Sequence, residues 1–290
     1  MAKEKRVKGE WKRLTVQAAA FLLQNPKLHN FFLGTIDTGK TKVLCAPGLN
    51  CYSCPAAAGA CPIGSLQSAL TPRKPSFPFY VLGFLLLFGV LFGRWICSHV
   101  CPFGLVQDLV YKTPFPKKVR TFRGDRILRL LKYAVLLVLV IALPLFDTLK
   151  PYFCKYLCPS GTLFGAIPLT LTNPMLRGQI GFLFWWKVGV LVTLLLLSLL
   201  IARPFCRYLC PLGAIYGLFN RFALLGLTCD ASTCVNCGAC ETVCPMGIDP
   251  RTQFDSTECI RCGRCVRACP TGSLARRFGF RPDAHKKSTI

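Results

Sequence analysis

Charge-free apolar runs divide the first two-thirds of the chain. There are three such runs without Asp, Glu, Lys or Arg, at residues 75–93, 133–146 and 188–202. Each run can cross an apolar layer of ~30 Å once its flanking turns are included. Trp185, Trp186 and Lys187 precede the third run, and aromatic rings with a snorkelling lysine are typical of a membrane interface. The pattern therefore predicts three membrane-spanning helices.

A fourth apolar run, residues 14–32, is interrupted by polar side chains and follows a basic segment. The interruptions are Gln17, Gln24, Asn25, Pro26 and Lys27. A basic segment before a short apolar core also resembles a signal peptide, but no small-x-small cleavage site follows this core. We therefore expect an uncleaved fourth helix. The expected fold is an all-α integral membrane protein with about four transmembrane helices.

The distribution of positive charge predicts the orientation of these helices. The formal net charge is +24, and Lys and Arg are dense in residues 1–13, 94–132 and 203–290 but sparse in 24–75 and 147–180. This alternation follows the positive-inside rule for four helices with both chain ends in the cytoplasm. We therefore expect a multi-pass protein of a bacterial or archaeal cytoplasmic membrane. Because the charge alternates with the apolar runs, nucleic-acid binding is not expected.

Eight cysteines near the C-terminus repeat the spacing C-x2-C-x2-C-x3-C-P. This is the run of bacterial two-cluster ferredoxins, in which three cysteines hold one [4Fe–4S] cluster and the fourth holds the other. Zinc ribbons use paired C-x2-C knuckles instead. The spacing predicts an electron-transfer module in which Cys234, Cys237, Cys240 and Cys269 hold one cluster, and Cys259, Cys262, Cys265 and Cys244 hold the second.

Three further cysteine pairs share the pattern C-x3-C-P, and each follows an apolar run closely. The pairs are Cys97 with Cys101, Cys154 with Cys158, and Cys206 with Cys210. A residue before proline is disfavoured in a helix, whereas proline is favoured at the first helical position. The pattern therefore predicts a new helix after each second cysteine. The N-terminus of that helix would face an anionic group such as an iron–sulfur cluster.

Cys61 begins a partial fourth copy, in which Ala57 stands where the first cysteine would be. The predicted topology brings Cys97, Cys101, Cys206 and Cys210 together at the cytoplasmic face as ligands of a third cluster. Cys61, Cys154 and Cys158 would meet at the outer face with one of Cys45, Cys51 or Cys54, of which Cys54 is preferred for its proximity. Disulfides or a C-x2-C redox pair are the alternatives on that face. Cys229 has no spacing partner and is interpreted as an ordinary cysteine.

Other cofactors have little support in the sequence. There is no C-x-x-C-H for haem, no strand followed by G-x-G-x-x-G and no P-loop. His99 could donate a hydrogen bond to a cluster, but a boundary position without a ligand role is the preferred interpretation. Arg13 and Gln17 could face a quinone headgroup, although helix packing is the preferred role for this pair.

The chain resembles the NapH/NosR-type membrane polyferredoxins from about residue 13 to residue 273. The resemblance rests on CSHVCP, CRYLCP and the two ferredoxin runs. It implies [4Fe–4S] clusters, and quinol oxidation as in the NapH subunit of periplasmic nitrate reduction. The third pair, CKYLCP, and the segment APGLNCYSCPAAAGACPIG depart from this pattern. They suggest an additional redox centre on the outer face.

These patterns predict a membrane domain over residues 1–226, an α+β ferredoxin domain over 227–275 on the cytoplasmic side, and a basic tail over 276–290. The predicted function is electron transfer between a cytoplasmic or quinone donor and an extracytoplasmic redox partner. The alternatives are a quinol or quinone oxidoreductase subunit and a membrane redox sensor. In each case we expect an electron-transfer subunit rather than a stand-alone enzyme.

Overall fold

The computed structural model describes residues 9–37, 39–70, 78–115, 118–146 and 151–279. Much of the predicted basic N-terminal segment, residues 75–77 of the first apolar run, and residues 280–290 of the predicted tail lie outside these ranges. The described chain is mainly helical. Its helices are α1 Glu10–Gln24, α2 Asn30–Leu33, α3 Pro62–Leu70, α4 Phe79–Phe92, α5 Trp95–His99, α6 Pro102–Lys112, α7 Asp125–Phe146, α8 Phe153–Leu157, α9 at residues 159–172, α10 Pro174–Arg177, α11 Phe182–Leu200, α12 Pro204–Tyr208, α13 Pro211–Phe219, α14 Ala239–Thr242 and α15 Arg264–Ala268.

Two of the described helices, α7 and α11, are long and apolar enough to cross a membrane. The helix α4 is apolar but has 14 residues, and α1 has 15 residues with buried Arg13 and Gln17 on one face. The sequence predicts four spanning helices, and two of the described helices are long enough to cross a membrane. The central part of α7 winds as a π-helix at Leu136–Ala142.

The helices that follow the Cys-Pro pairs begin where the sequence predicts. Cys101, Cys158 and Cys210 have extended backbones and occupy the N-cap, with proline at the first helical positions of α6, α9 and α13. The first cysteine of each pair lies in the short helix before it, in α5, α8 or α12. Each pair is thus held at a break between two helices.

The segment between α2 and α3 carries four cysteines and folds mainly as loops. A parallel bridge joins Cys45 to Ala60. Gly48 lies directly against the start of α6, where a Cβ atom would be 3.1 Å from Cα of Cys101 and 3.0 Å from Cδ of Pro102. Any side chain at this position would require the neighbouring atoms to move apart. The loop therefore contacts Cys101, the second cysteine of its pair, at the start of α6.

A two-stranded antiparallel sheet closes the C-terminal module. Strand β1, Leu225–Cys229, pairs with β2, Leu274–Phe278, so that Leu225 is opposite Phe278 and Cys229 is opposite Leu274. The short helices α14 and α15 lie between the strands in sequence. Strand β2 includes residues 276–278, which the sequence analysis assigned to the tail. Arg276 and Arg277 belong to the strand because their backbones pair with Leu227 and Gly226, whatever the charge of their side chains.

Candidate iron–sulfur sites

The C-terminal module contains two cavities, and each is lined by four cysteines. Three of the four come from one C-x2-C-x2-C run and the fourth comes from the other run, as the sequence predicts. The first cavity is lined by Cys234, Cys237, Cys240 and Cys269, and the second by Cys244, Cys259, Cys262 and Cys265.

The backbone of each run suits an anionic cluster. In the first run the residues on either side of the second cysteine, Asn236 and Gly238, have positive φ angles. In the second run the equivalent residues, Arg261 and Gly263, also have positive φ angles. Left-handed residues next to right-handed ones turn successive N–H groups toward one point, and such concavities hold many iron–sulfur clusters. Among the described residues no three Cys, His, Asp or Glu side chains converge as ligands of a single metal ion do. The four thiols of each group instead line a cavity.

The second group of thiols, which we call the inner set, comprises Cys97, Cys101, Cys206 and Cys210. All four side chains are buried. Each thiol interacts electrostatically with at least one other member of the set. Gln107 donates to the Cys206 sulfur at 3.2 Å and the backbone N–H of Gly213 donates to the Cys210 sulfur at 3.3 Å. The structure therefore brings together the two pairs that the predicted topology places on one face.

The third group, the outer set, lines an open cavity of about 1710 Å³ and comprises Cys51, Cys61, Cys154 and Cys158. Electrostatic interactions connect Cys51 with Cys61, Cys154 and Cys158. A Cβ atom on Gly161 would lie 3.4 Å from the Cys51 sulfur. Cys51 therefore belongs with the Cys-Pro helices of this face.

Proximity in the sequence favours Cys54 for this position, but the structure places Cys54 outside the cavity. Its side chain is fully buried against Ala56 and Ala57, and its sulfur lies 3.6 Å from Oδ1 of Asn25. Cys45 is also elsewhere, 3.8 Å from the hydroxyl of Ser65. The tight turn at residues 51–54, in which the Cys54 N–H donates to the Cys51 carbonyl, points the two side chains in different directions.

A glycine lies three residues after the second cysteine in every Cys-Pro motif, and its N–H faces that cysteine's sulfur. The four glycines are Gly64, Gly104, Gly161 and Gly213. A Cβ atom at Gly104 would be 2.9 Å from the carbonyl oxygen of Cys97, so this position also permits close packing of the preceding short helix. Donors from a helix N-terminus stabilise an anionic group bound by these sulfurs.

Two buried arginines next to the inner set were not identified from the sequence. Arg94 and Arg203 are almost fully buried, and each stands three residues before the first cysteine of its pair. Arg94 donates to the Cys97 sulfur and to the Cys206 carbonyl oxygen, the latter at 2.9 Å. Both inner pairs share the spacing R-x2-C-x3-C-P, and this spacing could have identified the two arginines from the sequence. It is absent from the outer pair, where Pro151 occupies the equivalent position.

Buried carboxylates compensate these arginines. Asp108 pairs with Arg203 and with Arg13, in both cases at 2.6 Å. Burial opposes ionisation of Asp108, but the two guanidinium groups outweigh it and hold the pKa of the carboxyl below its usual value. Glu258 pairs with Arg94 at 3.3 Å. The pKa of Glu258 is lowered in the same way, since Arg94 and Lys132 outweigh the effect of burial.

The remaining residues considered in the sequence analysis have structural partners. Arg13 and Gln17 are buried, and Gln17 donates to the Cys101 carbonyl oxygen at 3.0 Å. These contacts agree with the packing interpretation. His99 stacks on Trp95 with ring centroids 4.3 Å apart, and its Nδ1 lies 2.6 Å from the Ser98 hydroxyl. Cys229 lies in β1 and interacts electrostatically with Cys234, beside the first ferredoxin cavity.

Comparison with known proteins supports the iron–sulfur assignment. A family model described as a 4Fe-4S binding domain matches residues 74–123, 133–167 and 182–226. Two further models with the same description match residues 252–274 and 234–248. The matches therefore cover both the Cys-Pro pairs and the ferredoxin runs. No solved structure shows a significant match to the chain.

Curated relatives include several ferredoxin-type proteins. The methylamine utilization ferredoxin-type protein MauN of Paracoccus denitrificans is 32% identical over 62% of this chain and 59% of its own length. The regulatory protein NosR of Stutzerimonas stutzeri is 30% identical over 54% of this chain and 21% of its own length. The ferredoxin-type protein NapH of Haemophilus influenzae is 26% identical over 56% of this chain and 50% of its own length. The chain thus covers less than two thirds of each of these proteins. It is similar to the NapH/NosR-type polyferredoxins, and its cofactors are [4Fe–4S] clusters.

Proposed function

We propose that this protein conducts electrons across a membrane through four [4Fe–4S] clusters, between a cytoplasmic donor and an acceptor on the opposite side. Two clusters are held by the ferredoxin module, one by the inner set and one by the outer set. The observation that carries the proposal is the spatial order of the four cysteine groups. The first ferredoxin cavity, the second ferredoxin cavity, the inner set and the outer set follow one another, and each group lies beside the next. The ligands of the outer cluster are Cys51, Cys61, Cys154 and Cys158.

The ferredoxin module and the inner set are connected by short polar contacts. Asn220 donates to the Cys259 carbonyl oxygen at 2.7 Å and accepts from the Arg94 backbone N–H at 2.9 Å. Arg94 in turn donates to the Cys206 carbonyl oxygen. A cysteine of the second ferredoxin cavity is therefore separated from a cysteine of the inner set by two buried residues. Such contacts favour electron transfer between the two sites.

The inner and outer sets are also neighbours. Tyr216 is fully buried and interacts electrostatically with Cys97 and Cys101 of the inner set and with Cys61 of the outer set. The predicted topology separates these sets across a ~30 Å layer. In the structure loop residues 47–49 approach both sets, since Gly48 lies against Cys101 and Leu49 contributes to the lining of the outer cavity. A shorter gap favours electron transfer through the membrane interior.

Membrane insertion is supported by the apolar surface of the long helices. Within the most apolar part of α11 17% of the residues are buried, and within that of α7 28%. Phe146 and Trp185 are among the large side chains left exposed. An apolar surface of this extent is unfavourable in water and suits contact with lipid. We propose that α1 and α4 complete a four-helix membrane domain, with the N-terminus and the ferredoxin module in the cytoplasm.

The outer cavity supplies the exit for electrons. It is open to the surface, and Lys40, Lys42 and Lys187 contribute to its lining. An acceptor with negative charge would be attracted to this opening. A quinone remains the alternative acceptor, but Arg13 and Gln17, the pair considered for a headgroup, are occupied by Asp108 and Cys101.

The test is electron transfer in proteoliposomes. A reductant that cannot cross the membrane reduces the ferredoxin module from outside, and an acceptor dye is enclosed in the lumen. We expect dye reduction with the wild-type protein and its loss in Cys154→Ser, which should keep the clusters of the ferredoxin module and inner set. Reduction of membrane quinone alone, with Cys154→Ser unaffected, would show instead that the protein is a quinone oxidoreductase subunit.

A further inference from the structure

Residues 47–49 occupy the space between the inner and outer sets. Gly48 touches Cys101 of the inner set, and Leu49 contributes to the lining of the outer cavity. The side chain of Leu49 is 1% exposed, so this residue is packed against its neighbours on both sides of the junction. The Tyr216 hydroxyl donates to the Pro47 carbonyl oxygen at 3.1 Å and fixes the segment from the other side.

A hydrogen bond and two N–H to sulfur contacts connect the two sets through only two residues. The backbone N–H of Leu49 faces the sulfur of Cys101. The carbonyl oxygen of Leu49 accepts a hydrogen bond of 2.9 Å from the Ser160 hydroxyl. The backbone N–H of Ser160 faces the sulfur of Cys158, two residues earlier in the chain. One end of this path is therefore a ligand of the proposed inner cluster and the other end is a ligand of the proposed outer cluster.

We propose that Leu49 and Ser160 form the path by which electrons pass between the inner and outer sets. This inference rests on the proposed transmembrane conduction. One electron leaves the centre held by the inner set and one is gained by the centre held by the outer set. No covalent bond forms or breaks, and no proton has to move. The path uses the backbone of Leu49, whereas at position 160 it requires a side-chain hydroxyl.

Two features make this junction a fixed bridge rather than an incidental contact. Ser160 is fully buried, and its hydroxyl donates to a carbonyl that belongs to a segment 111 residues away in the chain. Gly48 allows the approach, because a Cβ atom there would require the segment to move away from Cys101. A buried hydroxyl with a defined acceptor keeps one geometry, and a fixed geometry preserves electronic coupling between the two sulfurs.

The test compares Ser160→Ala with Ser198→Ala in the purified, cluster-loaded protein. Ser198 is a matched control, since it is also fully buried and its hydroxyl also donates to a backbone carbonyl, that of Leu194, at 2.7 Å. The protein is reduced rapidly through the ferredoxin module and frozen at set times, and the signals of the inner and outer centres are followed by EPR. Iron content and the reduction potential of each centre are measured in parallel.

We expect Ser160→Ala to slow the appearance of the outer signal several-fold while iron content and the potentials of all centres stay unchanged. Ser198→Ala should transfer at the wild-type rate. An unchanged rate in Ser160→Ala would overturn the path and leave the conduction proposal intact. A shift in the potential of the outer centre, or loss of its iron, would also overturn it, because the serine would then act on the site itself. Failure of the wild-type protein to reduce the outer centre would overturn the conduction proposal.

Discussion

Arg94 and Glu258 form a buried ion pair, with Nη1 3.3 Å from Oε2, that joins the ferredoxin module to the helices of the inner set. Glu258 precedes Cys259 in the chain, and Arg94 contacts Cys97 and Cys206. Lys132 of α7 pairs with the other carboxylate oxygen. The module is therefore held against the helical domain by charges that are withdrawn from water, and its second cavity has a fixed position relative to the inner set.

Replacement of Glu258 should loosen this attachment. In Glu258→Gln the side chains of Arg94 and Lys132, both 0% exposed, lose their negative partner. Removing one member of a buried pair costs about 3–5 kcal/mol. We expect a lower melting temperature in detergent and faster proteolytic release of the module. Glu241→Gln is the control: its partner Arg251 is at 3.4 Å and the carboxylate is 56% exposed, so its loss should cost less than ~1 kcal/mol. Equal stability of Glu258→Gln and wild type would refute the attachment.

Asp108 should stabilise the protein over the whole neutral range. Its pKa is depressed in the folded state, so its contribution is present above the unfolded pKa and is lost as pH falls through the folded value. Asp108→Asn leaves Arg13 and Arg203 without their shared carboxylate and should cost about 3–5 kcal/mol. The difference from wild type should stay constant between about pH 8 and 5 and narrow only below about pH 4. Thermal unfolding at each pH measures it, and a difference that already narrows near pH 6 would contradict the assignment.

The choice between Cys51 and Cys54 can be decided by iron content. With four clusters we expect about sixteen iron per chain, and Cys51→Ser should reduce this to about twelve. Cys54→Ser should retain about sixteen, because the Cys54 sulfur faces Asn25 rather than the outer cavity. Iron and acid-labile sulfide assays on anaerobically purified variants give the answer. The reverse pattern would restore Cys54 as the ligand.

The two pairs of the inner set should behave as one site. Cys101→Ser and Cys206→Ser should each remove the same EPR signal and leave those of the ferredoxin module intact. Cys229→Ser is the matched control in β1, and it should remove no signal. If the two inner variants removed different signals, the pairs would serve separate centres.

Labelling of engineered cysteines tests the proposed orientation. Sites at Gly39 and Thr172 should react with an impermeant reagent added from outside the cell, whereas a site at Ser273 should not. Reaction at Ser273 from outside would invert the topology and place the ferredoxin module on the other side of the membrane.

Local sequence patterns predicted the parts of the site whose geometry depends on local backbone. The eight ferredoxin cysteines surround two cavities with the predicted exchange between runs, because the C-x2-C-x2-C spacing itself fixes three of the four positions in each cavity. The Cys-Pro pairs predicted the starts of α6, α9 and α13 because proline restricts the backbone of its own residue and of the residue before it.

Contacts between distant segments could not be predicted in the same way. Proximity in the sequence favours Cys54 over Cys51, but the turn between them and the position of Asn25 in space separate their roles. The hydropathy of the sequence does not predict the approach of Gly48 to Cys101. A loop that enters an apolar region has the same composition as any other loop. The pairing of Arg94 with Glu258 joins residues 164 positions apart.

The exposure of Cys237 has a consequence for how the protein survives in air. All nineteen cysteines lie within the described residues, and Cys237 alone among them is exposed. Oxidation of thiolates and clusters begins where the reagent has access. Oxygen would therefore attack the first ferredoxin cluster before the inner one, whose four ligands are buried. A partly oxidised protein would therefore lose the first ferredoxin site before the inner set, whose buried thiols the reagent reaches later.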